Sequence, residues 1–198
     1  NMYVGYMYTS GDVHGYGTSS TIKTAIDTWY SSNLASYASK LADSVYCNDR
    51  SPSTSDTTLN GSGGTGTTTT YYGDYIRLYT NRAPVLTCPN KIDAFTVNDT
   101  IYGNAHLNNP IGLITADEIA MAGGVSNNSS YYLYTNQFYW AGSPSDYNGG
   151  ADGFIMTSAG YLNNNYVKPT SGARPVVSLS SGISGSGTGT WNDPYVVN

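Results

Sequence analysis

The sequence predicts an α+β domain in which two or three helices pack on short antiparallel sheets connected by many loops. Three observations lead to this prediction. Apolar residues recur at helical spacing near the N-terminus, and a helix capping box follows a short apolar strand in the middle of the chain. Short strand-like segments separated by Gly, Asn and Ser fill the C-terminal third. At 198 residues the chain can bury one core, so we expect a single domain over residues 1–198.

The N-terminal part predicts one strand and two helices. Residues 3–8 (YVGYMY) form a strand-like segment, and a glycine-rich turn follows it. Ser20 and Thr21 begin a helix that is expected to end near Asn33 and to bury one face, formed by Ile22, Ala25, Ile26, Trp29 and Tyr30. A second short helix is expected to turn four residues inward: Leu34, Tyr37, Ala38 and Leu41.

Two cysteines bound the next region, and two interpretations of them remain open. Cys47 and Cys88 form a disulfide if the chain is secreted, and they are buried free thiols if it lies in a reducing compartment. A bridge across this separation is worth about 4 kcal/mol in the chain-entropy model. Residues 51–70 lie inside the loop it would close. They are almost entirely Ser, Thr, Gly and Asp, which predicts a mobile loop.

The middle of the chain predicts extended segments, a buried strand and a helix. Residues 71–80 and 84–88 are expected to be extended. Residues 111–114 (IGLI) predict a buried strand. Thr115 and Glu118 then form a capping box that begins a helix over Ala116–Ala122, and Gly123-Gly124 ends it.

The stretch from Tyr131 to Leu179 has the composition of a recognition surface. An aromatic segment, residues 138–140, precedes it, and an apolar strand containing Val176 and Val177 closes it. Between them lie mostly Tyr, Asn, Ser, Asp, Gly and Ala, with one short apolar strand, residues 154–156. Tyr offers a large contact area for few frozen torsions, and Ser, Asn and Gly offer adaptable hydrogen bonds. The alternative is a loop-rich antiparallel sheet whose outer face is simply polar and aromatic.

The last segment, residues 180–198, is a Gly/Ser-rich tail with a terminal strand at Tyr195–Val197. We expect this strand to pair with the N-terminal strand, since chain termini are often close together.

Composition limits the possible partners and the compartment. Only 11% of residues are charged, against about 25% in an ordinary soluble domain, so uncharged polar groups must keep the chain in solution. The net charge of −5 argues against nucleic acid and anionic membranes as partners. No apolar run has the length of a membrane-spanning helix. The chain starts without a basic and apolar leader, so we expect any signal peptide to be absent or already removed.

The segments CNDR, RLYTN, TCPN, PIGLITADEIAMAGG, YYLYTNQFYWAGSP and GARPVVSL, in this order, resemble a family of bacterial, mainly Firmicutes-type, secreted or surface modules. Their C-terminal halves are similar to the C-type-lectin-like fold of formylglycine-generating-enzyme-like proteins and of the variable proteins of diversity-generating retroelements. The resemblance implies a structural frame formed by Tyr139, Trp140, Gly142, Ser143, Gly172, Arg174 and Pro175.

The resemblance also implies which residues face a ligand. They lie between the two halves of the frame and are Ser145, Asp146, Tyr147, Asn148, Asp152, Thr157, Tyr161, Asn163, Asn164, Asn165, Tyr166 and Lys168. Diversified proteins of this kind carry Asn, Tyr, Ser, Asp and Gly in the corresponding stretch, and this segment has the same repertoire.

Catalytic and metal-binding interpretations find little support in the residues. The formylglycine-generating reaction uses two redox-active cysteines in the C-terminal half, and this chain has none after Cys88. His14 and His106 lie in loop-like sequence without a nucleophile or acid at a catalytic spacing. Residues 191–193 (WND) spell a calcium-lectin motif, but a turn before Pro194 explains them as well. We therefore expect no enzyme activity, no cofactor and no metal.

Two hypotheses of function follow. The first is a non-catalytic extracellular or cell-surface module, an adhesin or receptor-binding domain, whose partner is a protein or a carbohydrate. The second is a structural subunit of a bacterial surface filament or layer, which self-associates through its strand-like termini. Arg174 is expected to be a structural partner in the core; the minority interpretation is a clamp for a ligand carboxylate.

Overall fold

A six-stranded sheet in the computed structural model of the protein organises the rest of the chain. The structure describes residues 2–3, 20–51, 53, 70–126, 128–147, 150–190 and 192–198. Strands β6 (Tyr139–Tyr147), β7 (Ala151–Met156) and β8 (Leu162–Tyr166) form an antiparallel meander. Strand β9 (Gly172–Ala173) runs parallel to β6 and also pairs with β1 (Met2–Tyr3), while β3 (Thr70–Tyr71) pairs with the end of β6.

Three two-stranded sheets surround the large one. Strand β2 (Tyr46–Cys47) pairs with β4 (Ala94–Phe95), and β5 (Gly112–Leu113) with β10 (Pro175–Val176). Strand β11 (Gly185–Ser186) pairs with β12 (Val196–Val197). Together with the helices, these sheets confirm the predicted α+β class.

The predicted N-terminal helix is confirmed as α1 (Thr21–Asn33). The Ser20 hydroxyl caps it by accepting a hydrogen bond from the Lys23 amide at 3.1 Å, which satisfies one of the free N–H groups of the first turn. Ile22, Ile26 and Tyr30 are buried against Trp140 and Ile155. Helix α1 therefore covers one face of the large sheet.

The other face of the large sheet packs on a second hydrophobic cluster. Helix α3 (Ala116–Met121) begins with the predicted capping box of Thr115 and Glu118, and Gly123 follows it with φ +99°. Ile119 is fully buried beside Tyr139, Phe154 and Met156. The predicted strand at Ile111–Ile114 is also confirmed as β5 (Gly112–Leu113). It ends two residues before Thr115, the N-cap of α3.

The predicted second helix is present as a 3-10 helix, Ala35–Lys40, and the prediction of its buried residues is half right. Leu34 and Leu41 at its two ends pack against the core cluster, whereas Tyr37 and Ala38 are exposed. A 3-10 helix has three residues per turn, so these four positions do not share one face. Residues 84–88 belong to no helix or paired strand, and the Val85 amide donates to the Asp117 carboxylate at 2.8 Å.

Residues 71–80 are largely helical rather than extended. A short helix, α2 (Gly73–Tyr75), continues as a π-helix over Ile76–Asn81. Tyrosines four residues apart stack on one another here, and Asp74 pairs with Arg77 one turn later. Side-chain pairs at these spacings stabilise helical backbone.

Within the described residues, the two terminal strands pair with other strands and not with each other, contrary to the prediction. Strand β12 forms a local hairpin with β11, whereas β1 joins the large sheet through β9. Gly187 and Gly189 lie between β11 and β12 with φ +100° and +77°, which lets the chain turn back tightly. The short loop costs less closure entropy than joining the two ends of the chain. Most of the predicted strand at 3–8 and most of the predicted mobile loop at 51–70 lie outside the described residues.

The disulfide between Cys47 and Cys88 is confirmed and spans a sequence separation of 41 residues. It ties β2 to the segment that leads from the π-helix to β4. None of the described helices is long and apolar enough to cross a lipid bilayer.

Candidate functional site

The residues predicted to face a ligand do not form one continuous window. Ser145, Asp146 and Thr157 are buried rather than exposed on the surface. Ser145 lies where β6 is covered on its edge by β3, and its carbonyl accepts the Tyr72 amide at 3.1 Å. Thr157 closes the turn between β7 and β8, where its hydroxyl donates to the Tyr161 carbonyl at 3.0 Å.

The strand register places the candidates of β6, β7 and β8 on two different faces of the sheet. Asp146 is opposite Asp152, and Asp152 is opposite Tyr166. Asn164 is opposite Phe154, two residues along β7 from Asp152. Directly opposed residues, and residues two apart on one strand, point to the same face. Asp146, Asp152, Asn164 and Tyr166 therefore share one face, which we call the Asp152 face.

The other candidates lie elsewhere. Asn163 and Asn165 alternate with Asn164 and so belong to the opposite face, the one that α1 covers. Tyr147 packs against the same hydrophobic cluster as α1. Tyr161 is half-buried at the β7–β8 turn, and Lys168 is exposed just beyond β8. Asn148 lies outside the described residues. Ligand binding by any of these residues stays a prediction.

An aromatic row borders the Asp152 face. It consists of Tyr71, Tyr75, Tyr79 and Phe154. Successive ring centroids are 4.5, 4.8 and 5.6 Å apart. Phe154 belongs to β7, whereas the three tyrosines come from β3 and the helical segment after it. Tyr79 remains 38% exposed although its ring stacks on the fully buried Phe154. Phenol rings and carboxylates thus meet at one place on the surface.

The Asp152 face has an unbalanced negative charge. The Asp146 carboxylate accepts hydrogen bonds from the Ser145 hydroxyl at 2.7 Å and the Asn164 amide at 3.0 Å. One carboxylate oxygen of Asp152, Oδ1, is shielded from solvent and has no hydrogen-bond partner among the described residues. Burial, and secondly the charge of Asp146, raises the pKa of Asp152 to about 6. Burial and Asp146 also raise the pKa of Tyr79. This face is therefore suited to ligands that donate hydrogen bonds.

The aromatic row was not predicted from the sequence, because an extended chain over residues 71–80 would not bring its tyrosines together. The signal was present, since Tyr71, Tyr75 and Tyr79 recur every four residues, which places them along one side of a helix. Aromatic residues also favour strands, and that preference misled the assignment.

A network of buried charged residues includes Arg77, which belongs to the helical segment of residues 73–81. The Arg77 guanidinium donates to Asp49 at 2.9 Å, to Asp117 at 3.0 and 3.3 Å, and to Asp74. Arg50 pairs with Asp93, and both side chains are almost fully buried. No local sequence pattern predicts this network, because Arg77 is 28 residues from Asp49 and 40 residues from Asp117 in the chain.

The residues of the expected frame occupy structural positions. Tyr139, Trp140, Ser143 and Gly172 are buried, and the Ser143 hydroxyl accepts the Ala116 amide at 3.0 Å. The Arg174 guanidinium lies 5.0 Å from the centroid of the Tyr139 ring and donates to the Leu133 carbonyl, which fits the expected structural role.

The other residues considered for catalysis or metal binding are His14, His106, Glu118 and Asp193. His106 is exposed, and His14 lies outside the described residues. Glu118 caps α3. Asp193 forms a turn in which it accepts the Thr188 amide at 2.9 Å. Within the described ranges, no group of three or more His, Cys, Asp or Glu side chains is arranged to hold a metal ion.

Comparison with family models, with characterised proteins and with solved structures found no significant match.

Proposed function

We propose that the protein is a non-catalytic extracellular binding module whose recognition surface is the Asp152 face together with the aromatic row. The C-type-lectin-like fold and the bacterial surface location implied by the resemblance are part of this proposal. The observation that carries it is the position of Asp146, which lies close enough to Tyr75 and Tyr79 to act on both and is opposite Asp152 in the sheet. Large rings provide contact area, and desolvated carboxylates and the Asn164 amide provide directional hydrogen bonds.

The chemistry of this surface favours a ligand rich in hydroxyl or amide donors. Among the described residues, the charges that shift the pKa values of Asp152, Tyr75 and Tyr79 come from carboxylates and phenols. A hydroxyl or N–H donor from a ligand would lower the cost of burying the Asp152 carboxylate, whose pKa is raised mainly by burial. Both a carbohydrate and a polar protein surface supply such donors.

Binding of a glycan array and of a panel of bacterial and host surface proteins tests the proposal. The variant Asp152→Asn/Tyr166→Ser removes one charge and one exposed ring from the Asp152 face. The control variant, Tyr37→Ser/Tyr102→Ser, removes two exposed rings from segments outside the strands of the large sheet. We expect a ligand that the wild-type protein and the control variant bind and that the Asp152 face variant binds at least about tenfold more weakly. Equal binding by all three proteins would contradict the proposal.

Self-association as a surface subunit is the second candidate function. The observation in its favour is the exposed apolar end of the chain, where Tyr195 is 72% and Val196 54% exposed. Light scattering over a concentration series tests it. Concentration-dependent assemblies that the change Val196→Ser abolishes would support this function, whereas a monomer at every concentration would contradict it.

A further inference from the structure

A cavity of about 270 Å³ lies beside the disulfide, between β2, the segment leading to Cys88, the start of α3 and β10. Apolar and polar side chains share its walls, and the apolar part includes Val45, Leu86, Leu113 and Val176. Leu86 at its rim is 69% exposed and Val45 is 40% exposed. Exposed apolar side chains around an opening are typical of a binding site, because each of them is more stable when covered.

The cavity ends on the buried charge network. Four carboxylates, of Asp49, Asp74, Asp117 and Glu118, line it together with one guanidinium, that of Arg77, the single cationic side chain among the described residues around it. Each of the three aspartates accepts a hydrogen bond from the same Arg77 guanidinium. The cavity therefore has an excess of negative charge next to the apolar side chains of its wall, and this combination attracts a cation on an apolar stem.

The geometry favours a compact ammonium over a planar guanidinium. Arg77 already occupies both oxygens of Asp117, through its Nε at 3.3 Å and its Nη2 at 3.0 Å. The Asp49 oxygens accept from Arg77 and from Ser51. A second guanidinium would need a free pair of parallel oxygens, and none of these carboxylates presents one. An ammonium is a point charge that accepts single contacts from several directions.

We propose that this cavity binds the side chain of a lysine presented by a partner protein. The four-carbon stem lies against Val85, Leu86 and Val176, and the ammonium reaches the carboxylates at the floor. This site is separate from the Asp152 face, so it extends the proposed function by a second point of contact. Burial above all raises the pKa of Asp74 well above its ordinary value; the charge of Arg77 opposes this shift, and the charges of Asp117 and Asp49 add to it.

NMR titration of the full chain tests this proposal with Nα-acetyl-lysine methylamide as the probe. We expect amide shifts at Val85–Cys88 and at Val176–Ser178, with a Kd of about 1 mM for so small a ligand. The neutral analogue Nα-acetyl-norleucine methylamide keeps the stem and removes the charge, and we expect it to bind at least about tenfold more weakly. The arginine analogue is expected to bind more weakly than lysine. Equal binding of the norleucine or the arginine analogue, or no shift with lysine, would overturn the proposal.

Two variants locate the site without disturbing the fold. Glu118→Gln removes an exposed charge at the cavity while Gln still completes the capping box. We expect it to weaken lysine binding about threefold, and Asp193→Asn, which removes an equal charge on the C-terminal hairpin, to leave binding unchanged. Equal effects of the two changes would reject the cavity as the binding site.

The Asp152→Asn/Tyr166→Ser variant separates this proposal from the proposed function. We expect it to keep wild-type affinity for the lysine probe. A loss of lysine binding in this variant would move the site to the Asp152 face and overturn the cavity proposal.

Discussion

The Asp152 face and the buried charge network use polar residues in opposite ways. The network brings Asp49, Arg50, Asp74, Asp93 and Asp117 into the interior of a chain that has few charges, and pairs them with one another or with Arg77. The Asp152 face presents the exposed Tyr166 ring together with the half-buried Asp152 carboxylate and Asn164 amide. A satisfied network specifies packing, whereas an incompletely satisfied surface is available to a ligand.

The contrast shows that residue type alone does not identify an interaction surface. Charged residues are usually exposed, yet here several are buried, while uncharged Asn, Ser and Tyr occupy much of the outside. The criterion that separates the two regions is whether each polar group already has a partner inside the protein.

Loss of one partner from the buried network has the largest expected effect on stability. Arg50→Met leaves the Asp93 carboxylate buried without its guanidinium, and we expect the free energy of unfolding to fall by about 3–5 kcal/mol. Urea unfolding monitored by circular dichroism measures the change. The double variant Arg50→Met/Asp93→Leu removes both charges and should recover part of the loss. A fall below about 1 kcal/mol for the single variant would contradict a structural role for this pair.

Removal of the disulfide has the next largest effect. We expect Cys47→Ser/Cys88→Ser to lower the free energy of unfolding by about 2–4 kcal/mol, because the unfolded chain regains the freedom of the closed loop. The same urea experiment checks this value, with the wild-type protein under reducing conditions as an independent comparison. If the free energy of unfolding of the variant equalled that of the wild type, the disulfide would make no contribution to stability, and the prediction would be wrong.

Much of the fold was predictable because its signals are local. The capping box at Thr115, the apolar face of α1 and the strand at Phe154–Met156 each lie within one short window of sequence. The position of Asp152 opposite Asp146 depends on the register of a hairpin, which the sequence does not show. The register also places Asn163 and Asn165 on one face and Asn164 on the other, although all three were predicted to face a ligand. The partners of Arg77 come from three separate segments, which no local pattern connects.

The pH dependence of stability gives a smaller effect that is specific to the Asp152 face. The pKa of Asp152 is raised to about 6, above its ordinary value of 3.8, so the folded protein binds more protons than the unfolded chain between these values. Its contribution to stability is therefore lost as the pH rises from about 4 to about 6. Asp152→Asn removes this loss, and we expect the variant to gain less than about 1 kcal/mol over the wild type between pH 4 and pH 7, after screening by solvent.

Urea unfolding of both proteins at several pH values measures this difference. A gain that appeared already at pH 4 and did not change with pH would show that the desolvated Asp152 carboxylate is not its source.

The central claim is that the Asp152 face displays its groups to a ligand and does not serve mainly as packing. The most direct test measures unfolding and ligand binding on the same Asp152→Asn/Tyr166→Ser variant, beside the wild type and the Tyr37→Ser/Tyr102→Ser control. The account predicts a free energy of unfolding within about 1 kcal/mol of the wild type and a loss of binding. A loss of more than about 2 kcal/mol in stability with unchanged binding would contradict it.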